Sequence, residues 1–102
     1  NDAGGKNNIF AGSSVAGSAV SAGRFLLTGI YNGASSILRE NNTQTASGDA
    51  GRNDKDGNWV GENPKFGVEM NGFLQELVFY DSNKESDASG IEANSNNFHS
   101  VY

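Results

Sequence analysis

Phe73-Leu74-Gln75-Glu76-Leu77-Val78-Phe79-Tyr80 is the stretch on which the fold turns. Its aromatic and branched residues favour a pleated, half-buried backbone. Side chains alternate across a strand, so Phe73, Gln75, Leu77 and Phe79 share one face and Leu74, Glu76, Val78 and Tyr80 the other. Both faces are mostly apolar, which predicts a strand covered on both sides in the middle of a sheet. Asn71-Gly72 ahead of it reads as a tight turn.

Working outward, Arg24–Tyr31 reads as a second two-faced strand, and Asn32-Gly33 as a hairpin turn into a return strand over Ala34–Arg39. Asn41-Asn42 makes the next turn and Thr43–Ala46 a short polar strand. Residues 47–57 form a polar loop, and Lys65–Met70 a further strand entered through Asn63-Pro64. Towards the N-terminus, Ile9-Phe10 closes a short strand. The Ala/Gly/Ser/Val run 11–23 reads as paired small-residue strands, with Val15 and Val20 inward, in preference to a linker. Only the tail is helical in pattern. Ser86 is the expected N-cap, and Ile91, Ser95 and Phe98 fall on one face at i, i+4 and i+7. Val101-Tyr102 closes the chain as an anchor.

Composition agrees with turn-rich β structure. Gly numbers 14 in 102 residues, Pro 1, and aromatic residues make up 10%, too many rings for a disordered chain. The apolar share of 35% sits below the usual ~45–50%, so the core is thin. The net charge is −5 and the 7 Lys and Arg residues are scattered, so no basic patch can be assembled for nucleic acid or an anionic membrane surface. No apolar run is long enough to span a bilayer. With no Cys and the single His99, neither a thiolate metal site nor a His-based triad has its parts.

The residues Gly72–Tyr80, followed by Ser86, Gly90-Ile91-Glu92-Ala93-Asn94 and Phe98-His99-Ser100-Val101-Tyr102, resemble the C-terminal end of LamG-like domains of the concanavalin A-like lectin/glucanase superfamily. The hairpin Phe25–Leu38 and the loop Ser47–Gly51 are similar to that family's central hairpin and the loop after it. The likeness covers about residues 24 to 102. Two departures stand out. Ser95 occupies a position the family fills with an apolar residue, so the helix is expected to dock loosely. The family's N-terminal strands are also missing. The resemblance therefore implies an all-β, antiparallel, jelly-roll-type β-sandwich, partial over residues 1–102, with one short C-terminal helix. The chain opens at Asn1, and its missing strands are expected upstream in a longer polypeptide or from a neighbouring subunit.

What the resemblance implies about function is a non-enzymatic structural or adhesion module on a virion or in the extracellular space. A phage capsid decoration or tail component is the favoured case. Its expected partners are neighbouring structural subunits and, for an adhesion role, surface glycans. A purely architectural role without ligand is the main alternative, and a glycoside hydrolase fragment the second. Glycosidases of the retaining type need two carboxyl groups about 5–5.5 Å apart. Leu74 and Val78, the same-face neighbours of Glu76, are not acids, so Glu76 reads as a structural carboxylate.

For glycans, Trp59 with Asn58, and Tyr31, are the candidate stacking and hydrogen-bonding residues, since aromatic faces cover sugar rings. The loop Asn53-Asp54-Lys55-Asp56-Gly57 admits a calcium reading, with Asp49, Asp54 and Asp56 as candidate ligands. Arg52 stands where the first ligand of an EF-hand loop would be and Asn63 where its last Glu belongs. A metal-free bent loop explains the same residues, and no cofactor is the favoured expectation.

Overall fold

The computed structural model describes residues 5–20, 23–53 and 72–102, and the backbone of 62–63 and 68–69. Lys6–Phe10 (β1) and Ser14–Ala19 (β2) pair as an antiparallel hairpin. Leu27–Ile30 (β3), Ser36–Glu40 (β4) and Thr43–Gly48 (β5) form an antiparallel sheet in the order β3-β4-β5. Glu62–Asn63 (β6) and Val68–Glu69 (β7) make a short antiparallel pair. A 3-10 turn over Glu85–Asp87 leads into the helix Ala88–His99 (α1). The described chain is thus mainly β, in small antiparallel sheets, with one short C-terminal helix.

The core is organised by β4. Ile37 and Leu38 are adjacent, so they point to opposite faces of the sheet. Leu38 is fully buried with Ile9, Val15 and Ala50, while Ile37 is buried with its cross-strand partner Ile30 and with Ala88 of α1. The β1–β2 hairpin therefore covers one face of the sheet and α1 the other. The hairpin lies close: a Cβ on Gly17 would come 2.7 Å from Leu38 Cδ2, and one on Gly29 2.7 Å from Ile9 Cγ2. Between β4 and β5 the two-residue turn Asn41-Asn42 has positive φ at both positions, 49° and 62°, the twist that suits a tight hairpin.

Several expectations are corrected. Residues 73–80 belong to no strand, and every one of them is exposed, Phe73 completely at 101%. A strand needs a neighbouring ladder to hold it, and the described elements supply none here. The strand expected over Arg24–Tyr31 is reduced to β3, which lies at an edge among the described residues. β4, which carries Ile37 and Leu38 on its two faces, takes the middle. Asn32-Gly33 is not a two-residue turn. The connection runs through a 3-10 turn over Gly33–Ser35, and Ser36 Oγ stabilises it by accepting the Asn32 N–H and donating to the Gly33 carbonyl. Val15 faces inward, but β2 ends at Ala19 and Val20 is 38% exposed.

The helix also differs from expectation. Ser86 lies within the 3-10 turn, Asp87 holds the N-cap position without a side-chain cap, and Asn83 Oδ1 accepts the Glu85 N–H instead. Its buried stripe is Ala88 and Glu92, while Phe98 is 84% exposed. The reason is register with β4. Ile37 and Arg39 share the face that Ala88 and Glu92 meet one helical turn apart, and the ion pair between Arg39 and Glu92 sets the rotation. Of the strand expected over 65–70, Val68–Glu69 is seen as β7; the remainder lies outside the described residues, as does Asn71.

Candidate functional site

Three loops meet beside the end of β5. The Ala11 and Ser13 N–H groups both donate to the Ala50 carbonyl, Asn53 N–H donates to Ala11, and Ala50 N–H to Gly33. These bonds tie residues 11–13, 31–33 and 50–53 into one cluster. Gly51 sits at its tightest point with φ +88°, and a Cβ there would collide with the Ala11 carbonyl, so only glycine fits. Asp49 Oδ1 accepts the Gly51 N–H at 2.8 Å, an Asx-type turn that fixes the loop. The result is an open pocket of about 260 Å³ lined by Ala11, Tyr31, Gly33, Gly51, Arg52 and Asn53.

A second, larger groove of about 500 Å³ runs between the 76–80 segment and α1. Glu76, Val78 and Tyr80 line one wall, and Gly90, Ile91, Asn94 and Ser95 are among the residues of the other. Part of the expected alternation thus survives without the strand, since Glu76, Val78 and Tyr80 line the groove against the helix while Leu74 does not. Ser95, the small polar residue where an apolar one was expected, leaves this groove open. Glu76 Oε2 lies 3.0 Å from His99 Nε2, bridging the segment to the end of α1. His99 in turn meets Phe98 edge to face at 4.9 Å.

The tail is fastened locally. Asn96 Oδ1 accepts the N–H groups of Val101 and Tyr102, its Nδ2 donates to the Tyr102 carbonyl, and Ser100 closes the helix in a left-handed conformation. Arg24 donates to the His99 carbonyl, placing a cation at the negative end of the helix dipole. Glu92, 1% exposed, receives a two-pronged hydrogen bond from Arg39 at 2.9 and 3.0 Å, and Arg39 also donates to Asn42. The Glu92 carboxylate holds the Arg39 guanidinium above its ordinary pKa, against the opposing effect of burial.

Of the residues singled out from sequence, Tyr31 and Asp49 come together in the three-loop cluster, Tyr31 as half-exposed lining and Asp49 as its brace. Trp59, Asn58, Asp54 and Asp56 lie outside the described residues. One oxygen of Asp49 is committed to the loop backbone, and among the described residues no group of three or more His, Asp or Glu side chains is placed to hold a metal ion. No helix among them is long and apolar enough to cross a membrane. Arg52 was legible only as a break in calcium-loop spacing, whereas the structure makes it the one cation lining the pocket among the described residues. Comparison with protein-family models, with curated proteins and with solved structures returns no match.

Proposed function

We propose that this chain is a non-enzymatic structural module of a virion or cell surface, a partial LamG-like, concanavalin A-like sandwich completed by a neighbouring subunit. The observation that carries the reading is the 73–80 ribbon. Phe73, Leu74, Leu77, Val78, Phe79 and Tyr80 are all exposed in one continuous β-forming run. Such a run is a template for strand addition, and isolated soluble subunits rarely tolerate it uncovered. The hairpin-on-sheet packing through Ile9, Val15 and Leu38 supports the sandwich part of the reading. The role of Glu76 is structural in this account, because its partner is His99 rather than a second carboxylate.

With a second copy of the chain as that neighbouring subunit, charge favours one orientation of pairing. A twofold antiparallel pairing centred on Leu77 sets Leu77 against Leu77, Glu76 against Val78 and Leu74 against Tyr80. Parallel in-register pairing would set Glu76 against Glu76, an unfavourable like-charge contact. Sedimentation velocity tests this. The chain is expected to sediment as a concentration-dependent dimer or higher assembly, and Leu77→Lys as a monomer with an unchanged circular dichroism spectrum. A wild-type monomer at about 100 μM, well above micromolar affinities, would overturn the reading.

A further inference from the structure

We propose that pairing of the 73–80 ribbon with a second copy of the chain is proton-linked, His99 neutralising the Glu76 charge that pairing covers, an inference that rests on the pairing surface described above. His99 is the only histidine, and the chain has no cysteine. Histidine is the side chain that ordinarily changes charge between pH 5 and 8. A change in pairing over that range therefore points to one side chain.

The link is geometric. Glu76 Oε2 lies 3.0 Å from His99 Nε2, which joins the ribbon to the end of α1. When the imidazole is charged, its Nε2–H donates to the carboxylate in a charge-assisted bond, roughly twice as strong as a neutral one. In the single chain the Glu76 side chain is 47% exposed, and water solvates much of its charge. Twofold antiparallel pairing centred on Leu77 sets Glu76 beside the second copy's Val78, with Leu74 and Tyr80 as the next pair on the same face. Apolar side chains there replace water, and an ionised carboxylate taken from water needs a cation. The His99 side chain, only 18% exposed, is placed to supply it. Among the described residues no other cation is paired with Glu76. Arg24 donates instead to the His99 main-chain carbonyl at 2.9 Å, where its charge opposes a second cation. Arg39 is closed on Glu92, with Tyr102 of the tail acting on it. Pairing thus favours the protonated imidazole, so protonation favours pairing and the dimer loosens as pH rises.

Sedimentation velocity of the full chain at about pH 5.5 and about pH 7.5 tests the link. The wild-type dimer is expected to dissociate with a constant about fivefold or more lower at the acid value, the ratio separating a charged from a neutral hydrogen bond. His99→Gln keeps a donor without a charge. It is expected to pair at both values only as tightly as the wild type does at the higher pH. Glu76→Gln removes the charge that pairing covers, and is expected to pair at both values as tightly as the wild type does at the lower one. A merely structural contact would instead weaken both variants alike. A wild-type dimer with the same constant at both pH values overturns this inference and leaves the pairing surface in place. So does a pH dependence that persists in either variant. A monomer under both conditions overturns the pairing surface and the proton link together.

Discussion

Arg39 and Glu92 show how much one residue pair decides in a chain with so thin a core. Glu92 is buried beneath α1, where an ionised carboxylate without a partner would be strongly destabilising. Arg39 meets both of its oxygens, and the pair fixes which helical face turns to the sheet. Replacing Arg39 by Met is therefore expected to cost about 3–5 kcal/mol, the penalty for stranding a buried charge, read as a fall in the urea midpoint. The double variant Arg39→Met with Glu92→Leu should recover most of that loss, because two apolar side chains of similar size substitute well for a buried ion pair. An unchanged midpoint in the single variant would show that α1 does not depend on the pair. Neither residue was recognisable from sequence as half of a bridge. They lie 53 positions apart, and only the docking of helix on strand brings them together.

At the scale of elements, β4 is the organiser and Glu40 at its end extends its reach. One Glu40 oxygen accepts the Asn7 side-chain amide of β1 at 2.6 Å and the other the Ser18 N–H of β2 at 3.2 Å. Partial burial by itself would raise the Glu40 pKa, but these hydrogen bonds outweigh it and the net shift is downward from 4.5. A carboxyl with a depressed folded-state pKa stabilises the fold above its unfolded value, and that contribution is lost as pH falls through the folded one. Stability is thus expected to decline as the pH drops below about 4.5, and Glu40→Gln to flatten that decline in denaturant titrations run across the range. An unaltered acid profile in the variant would remove Glu40 from the hairpin–sheet clamp.

Elements with local causes were legible in the chain. The Asn41-Asn42 turn, the strands on either side of it and the tail helix follow from residues within a few positions. The edge position of β3 and the face of α1 were not, because they depend on what packs against them. The 73–80 ribbon marks the boundary. Its alternation is real in part, since Glu76, Val78 and Tyr80 line the groove, but pairing requires a partner that the sequence of this segment does not contain.

At the scale of the molecule, the packed layers among the described residues are a hairpin, a three-stranded sheet and a helix, and they account for Ile9, Val15, Ile30, Ile37, Leu38 and Ala88. Six large apolar side chains of residues 73–80 stay about half exposed or more beside those layers. The candidate site was half legible in the same way. Tyr31 and Asp49 were visible as residue types beside turn-rich loops, while Arg52 became a site residue only when backbone bonds from Ala11 and Gly33 folded its loop inward. The central claim is that the ribbon is a pairing surface for another subunit. The most direct test is amide hydrogen exchange at residues 73–80, followed as the protein concentration rises from about 1 μM to about 1 mM, a span that brackets micromolar association. The account predicts that protection there increases tenfold or more with concentration while the amides of β4 stay constant. Exchange at 73–80 that is equally fast at both ends of the range would contradict it.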